Sequence, residues 1–158
     1  MIVALSKLPE IRRLNKNKTI VLASGVFDLM HYGHVKYLEN MKKYGDVAVV
    51  LVKPDARVKR FKSKDRPIIP EQDRLRMVNA IKGVDYAFIG PDNGSDMEND
   101  EAYSLIFAKL KPDIFYSTNP EWAKLAKHSG PKIVIRKRIV FGSFDSTTAI
   151  IDRIRDLK

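Results

Sequence analysis

The chain has no cysteine, so disulfides, thiolate nucleophiles and cysteine-ligated metals are excluded from the outset, which suits a reducing compartment. It also lacks a long apolar run. The opening Met1-Ile2-Val3-Ala4-Leu5 gives way at once to Lys7, Glu10, Arg12 and Arg13, too short a stretch for a membrane span or a signal peptide. A soluble cytoplasmic protein with no membrane partner is the expectation. Acidic residues are scarce beside basic ones, 19 against 29, and the resulting formal charge of +10 favours polyanionic partners. Nucleic acid, phospholipid headgroups and nucleoside triphosphates all qualify. The basic residues are not interleaved with aromatic stacking pairs, so no nucleic-acid partner is expected. The clusters Lys59-Arg60-Phe61-Lys62-Ser63-Lys64-Asp65-Arg66 and Arg136-Lys137-Arg138 read equally well as solvated surface.

What is present is enough for an ordinary core: 158 residues, 44% of them apolar, with no repeat or linker that divides the chain. A single domain over 1–158 is expected. Apolar spacing predicts a helix over 6–15, then a buried strand over 19–23 stopped by Ser24-Gly25. A helix over 33–44, with Gly45 as C-cap, leads to the continuous apolar strand 47–52, completing a βαβ unit. The basic stretch after it is read as a loop. A helix from Pro70 to Ile81 ended by Gly83, a strand over 86–89, and a polar loop over 91–100 follow. Next come a helix over 102–110, a strand over 113–116, a short helix over 121–127, a strand over 132–135 and a final helix over 147–157. This alternation is that of an α/β protein with a doubly wound parallel sheet of about five strands, Rossmann-like in class.

In such sheets ligands sit beyond the carboxyl ends of the strands. The segment after the first strand reads Gly25-Val26-Phe27-Asp28-Leu29-Met30-His31-Tyr32-Gly33-His34-Val35. Two histidines three apart meet there with the free N–H groups and positive dipole end of a helix, a combination that suits a triphosphate. Gly25 and Gly33 let backbone approach phosphate, and the imidazoles can donate to charge developing on phosphorus oxygens. An already ionised phosphate acceptor needs no deprotonation, so positioning and neutralisation suffice. A metal half-site is disfavoured: there is no cysteine, and the third histidine, His128, lies in another segment.

This loop resembles the signature of the cytidylyltransferase-like nucleotidyltransferases, in which Phe-Asp is followed after two residues by His, any residue, Gly and His. The resemblance continues through Arg66-Pro67, Arg74 in the next helix, Val84-Asp85 at a strand entry and Ser146-Thr147-Thr148 before Ile150, covering about residues 19–154. It implies that His31 and His34 bind the triphosphate and stabilise the transition state, with Lys59 or Lys62 reaching the phosphates. Gly25, Val26, Phe27, Asp28 and Gly33 would shape the nucleotide pocket. Arg74 matches a nucleotide-site arginine, or is a helix-surface charge. Ser146, Thr147 and Thr148 match an element beside the nucleotide, a reading compatible with a plain N-cap.

Within that family the stretch Gly25 to Leu38, with Lys59-Arg60, Lys62 and Arg66-Pro67, is most similar to the adenylyltransferase domain of bacterial heptose-phosphate activating enzymes. Glycerol-3-phosphate cytidylyltransferases and archaeal FAD synthases share fewer positions. The implied reaction is transfer of AMP or CMP from ATP or CTP to a phosphorylated small molecule, a sugar phosphate favoured, with release of pyrophosphate. Magnesium is implied as the nucleotide's companion, held by phosphates and water, with no protein ligand assigned. The implied assembly is a homodimer. Two departures stand out. Ser117-Thr118-Asn119-Pro120 replaces the usual glycine-aspartate pair after the fourth strand, leaving Asn119 as a base contact or a turn residue and prompting an inactive nucleotide-binding module as the rival reading. Lys53 replaces a small polar residue, either as a mouth-lining cation that joins Arg66 in binding the acceptor's anionic group or as a snorkelling surface lysine.

Overall fold

The computed structural model describes residues 1–92, 100–119, 132–135 and 146–157. A 3₁₀ turn, Leu5–Lys7, leads into α1 (Leu8–Leu14), followed by β1 (Ile20–Gly25), α2 (Tyr32–Met41) and β2 (Val47–Val52). Then come α3 (Asp55–Phe61), α4 (Glu71–Ala80), β3 (Tyr86–Ile89), α5 (Asp100–Leu110), β4 (Ile114–Ser117), β5 (Lys132–Ile135) and the last helix, α6 (Thr147–Arg155). The strands form one sheet in the order β3-β2-β1-β4-β5, every pair parallel. The chain winds outward through β2 and β3, then returns to the other side of β1. The switch point, where a crevice opens, therefore lies between β1 and β4.

Period-two alternation assigns each side chain to a face. Ile20, Leu22, Val49, Leu51, Phe88 and Phe115 pack under Leu8 and Ile11 of α1 and Tyr103, Ile106, Phe107 and Leu110 of α5. Val21, Ala23, Ala48, Val50, Val52 and Ala87 pack under Leu38 and Met41 of α2 and Leu75 and Val78 of α4. Every residue of β2 is buried, as an unbroken apolar strand covered on both faces requires.

Several boundaries differ from expectation for identifiable reasons. β1 runs on through Ser24 and Gly25 because those residues pair in register with Leu51 and Val52, so tertiary pairing overrides the breaker signal. The helix expected over 33–44 starts at Tyr32 and tightens to a 3₁₀ turn over Lys42–Tyr44. Gly45 is extended, with φ −173°, and not left-handed; it is required because a Cβ there would lie 2.5 Å from Val21 Cγ2 and 2.7 Å from the Thr19 carbonyl. Gly83, at φ +97°, makes the turn after α4. The basic stretch read as a loop contains α3, whose Val58 and Arg57 are buried, the Arg57 guanidinium 5.7 Å from the centre of the Tyr103 ring. The short helix expected over 121–127, most of the polar loop and Arg136-Lys137-Arg138 lie outside the described residues.

Candidate active site

At the β1/β4 crevice lies a cavity of about 350 Å³, lined from the β1–α2 loop by Gly25, Val26, Phe27, Asp28, His31, Gly33 and His34. Lys62 and Arg66 approach from the segment after α3, and Ser146, Thr147 and Thr148 from the N-terminus of α6. Two helix N-termini, those of α2 and α6, thus meet three positive side chains, Lys36, Lys62 and Arg66, in one concavity. Such a concavity is electrostatically suited to an anion.

The β1–α2 loop is strained. Phe27 and Leu29 both have positive φ, 57° and 42°, which costs a residue with a side chain about 1–3 kcal/mol each. The Phe27 ring folds back over Gly25, where a Cβ would lie 2.7 Å from the ring, so glycine is needed for this close approach. Between the two strained residues, Asp28 is almost wholly buried. Its carboxylate accepts from Arg66 Nε at 2.9 Å and from the backbone N–H groups of Ile68 and Ile69 at about 3.0 Å, charge-assisted bonds that offset the strain and desolvation. Asp28 thereby aims Arg66 at the cavity.

His31 is the N-cap of α2 and His34 lies in its first turn. Their ring centroids stand 4.0 Å apart, and Phe27 meets the far side of the pair through His34. The His31 backbone N–H donates to His34 Nδ1 at 3.4 Å, a long bond that nevertheless assigns the lone pair to Nδ1. The neutral ring then carries its proton on Nε2.

Three further residues of α2, Lys36, Tyr37 and Asn40, line the cavity, as do Ser24, Tyr116 and Thr118 at the strand ends; sequence reading had not singled these out. Tyr37 lies one helical turn beyond His34, a spacing that could have found it. Its hydroxyl donates to the Tyr116 carbonyl at 2.8 Å and its ring stacks on the Tyr116 ring at 4.9 Å, tying α2 to β4 across the crevice. Burial pushes the Tyr37 phenol far above its ordinary range, and Tyr116 shifts the same way for the same reason, so both stay neutral. The hydrogen bond with Glu39 raises the Lys36 ammonium, which stays charged.

Four expected site residues do not line this cavity. Arg74 is fully buried: Nε donates to the Ile69 carbonyl at 2.8 Å, and the terminal nitrogens to the carbonyls of Val26 and Lys53 and to Asp55. It is a clamp on the loops, neither a surface charge nor a group facing the cavity. Lys53 is also buried, its ammonium 4.9 Å above the Phe61 ring, so the snorkelling reading does not hold. Lys59 is exposed on α3, while Lys62, one turn on, reaches the cavity. Asn119 donates its backbone N–H to Ser117 Oγ at 3.1 Å, as a turn residue does. His128 lies outside the described residues.

Among the described residues no cluster of three or more His, Asp or Glu side chains could hold a metal, and the one carboxylate lining the cavity, Asp28, is engaged by three N–H donors. The described residues thus offer no protein cage for magnesium there. No helix among the described residues is long and apolar enough to cross a membrane.

Known proteins share the family and the fold of this chain. The family model described as cytidylyltransferase-like matches residues 22–154. The bifunctional protein HldE of Nitratiruptor sp. is 40% identical over 141 residues, covering 89% of this chain and 28% of that protein. HldE of Campylobacter concisus is 36% identical over 156 residues, covering 98% and 31% respectively. The chain thus spans less than a third of the length of these curated relatives. Among solved structures, a lipopolysaccharide core biosynthesis protein from Thermoplasma volcanium superposes with a TM-score of 0.63 at 30% identity, covering 78% of this chain and 99% of that one. Pantoate-β-alanine ligase from Francisella tularensis, at 16% identity and a TM-score of 0.64 over 90% of this chain and 69% of that one, shares the fold. The chain belongs to the cytidylyltransferase-like family of nucleotidyltransferases.

Proposed function

We propose that this chain transfers a nucleotidyl group from ATP or CTP to the phosphate of a small molecule, a sugar phosphate by preference, with release of pyrophosphate. One observation carries the reading: His31 and His34 share a cavity with Lys62, Arg66 and the N-terminus of α6 at the switch point of the sheet. An oxygen of the acceptor phosphate attacks the α-phosphorus, the bond from that phosphorus to the bridging oxygen of the β-phosphate breaks, and pyrophosphate leaves with the electron pair. The acceptor oxygen is already ionised, so no base is required. His34 Nε2–H donates to the oxygens on which charge builds, and Lys62 and Arg66 neutralise the departing pyrophosphate. Magnesium, in this proposal, arrives on the triphosphate and relies on phosphate and water oxygens.

Resemblance to HldE supports a sugar-phosphate acceptor and ATP as donor; a cytoplasmic homodimer completes the proposal. Pyrophosphate release measured with ATP and CTP against sugar, polyol and flavin phosphates tests it. Turnover with ATP and a sugar phosphate is the expected result. A polyol phosphate with CTP would move the assignment to a glycerol-3-phosphate-type cytidylyltransferase, and a flavin phosphate with ATP to an FAD synthase. Nucleotide binding with every acceptor silent would favour a regulatory module, the reading that Ser117-Thr118-Asn119-Pro120 prompts.

A further inference from the structure

The three consecutive hydroxyls that open α6 have separate environments. Ser146 Oγ accepts from the Ala149 N–H at 3.0 Å and caps the helix. Thr148 is exposed and lines the cavity. Thr147 also borders the cavity, and its hydroxyl donates to the backbone carbonyl of Asp28 at 2.7 Å, joining residues 119 positions apart in the chain. That carbonyl belongs to the residue flanked by the positive-φ pair Phe27 and Leu29, and the same residue's carboxylate holds Arg66, Ile68 and Ile69.

We propose that Thr147 is a positioning residue, fastening the N-terminus of α6 to the strained Phe27–Leu29 segment. The physical case is that strained backbone persists only where its surroundings over-determine it. Arg74 holds the segment at the Val26 carbonyl and the Asp28 side chain holds it from the Arg66 side. Thr147 supplies the third tether, the one that comes from the N-terminus of α6. Phe27 packs against His34, and Asp28 aims Arg66, so slack at the Asp28 carbonyl reaches both a histidine and a cation of the cavity. Threonine and serine both make this bond; valine, of the same shape, does not.

The kinetic consequence rests on the nucleotidyl-transfer reading, but the tether itself is tested without nucleotide. Amide hydrogen exchange is measured on the whole chain for T147V, T147S and T148V. In T147V the amides of Phe27 to Leu29, Ile68 and Ile69 should exchange about five- to tenfold faster, the loss of one hydrogen bond, with those of β2 unchanged. T147S and T148V should match the parent. Unchanged exchange in T147V, or acceleration spread equally through β2, overturns the proposal. In the pyrophosphate assay T147V should lower kcat about five- to tenfold with the nucleotide KM little changed. A T147V defect confined to KM overturns the assignment. A chain silent in every assay defeats the reading of its reaction and leaves the exchange experiment to decide the tether.

Discussion

The Phe27 ring meets the His34 imidazole edge-on, with centroids 5.5 Å apart and planes at 72°. A ring that has folded back over Gly25 on left-handed backbone therefore forms one wall for the second histidine of the pair. The wall fixes the ring plane while the His31 N–H fixes the tautomer.

Replacing His34 by alanine removes the Nε2–H that, in the proposed reaction, donates to developing charge. Turnover should fall about a hundredfold or more, with a smaller change in nucleotide affinity. Steady-state pyrophosphate release beside calorimetric nucleotide binding separates the two, and an unchanged kcat would remove His34 from the chemistry.

Replacing Gly25 by alanine drives a methyl into the Phe27 ring, with three ring atoms between 2.7 and 3.0 Å from the new Cβ. The ring is buried. Urea unfolding should show a loss of about 1–3 kcal/mol, and kcat should fall because the ring that walls His34 must shift. Wild-type values of both would show that the ring finds another place.

Arg74→Met strips donors from the carbonyls of Val26, Lys53 and Ile69 and leaves Asp55 without its buried partner. The expected cost is about 3 kcal/mol or more, read as a lower denaturant midpoint at constant m-value. Arg74→Lys should recover only a minor part, because one ammonium cannot span the acceptors that a guanidinium fork reaches. Full recovery by lysine would argue that charge alone matters at this position.

Alkaline pH should destabilise the fold through Tyr37. Its phenol is raised in the folded protein above the ordinary 10.0, so the unfolded chain ionises first. Stability is complete below pH 10.0 and falls as the pH climbs past it, because the unfolded state then binds fewer protons. Tyr116 adds to the slope in the same direction. Tyr37→Phe should be less stable at neutral pH, having lost its bond to the Tyr116 carbonyl, yet should show a shallower decline above that pH. An unaltered slope would mean the phenol ionises freely in the native state.

The sequence alone carried the sheet, because an apolar run such as Val47–Val52 and a helix with Leu38 and Met41 on one stripe need no distant information to declare themselves. It carried the location of the candidate site too, since His31, Gly33 and His34 sit where a strand hands over to a helix. What it could not carry was anything settled by contacts between remote segments. α3 was hidden because a run of Lys and Arg gives the same local signal whether solvated or packed, and only the protein beneath it buries Arg57 and Val58.

Tertiary structure alone also divided residues of like chemistry by task. Lys62 reaches the cavity and Lys59 does not: Lys59 is exposed on α3, whereas Lys62 is the residue at which that helix ends. Arg66 faces the cavity while Arg74 is buried among carbonyls, because Asp28 and Asp55 hold them in different layers. Ser146, Thr147 and Thr148 are three adjacent hydroxyls in the sequence, and only the approach of Asp28, far away along the chain, gives the middle one its bond. Composition and periodicity report what a segment can do on its own; which hydrogen bond a side chain makes depends on what folding brings within about 3 Å of it.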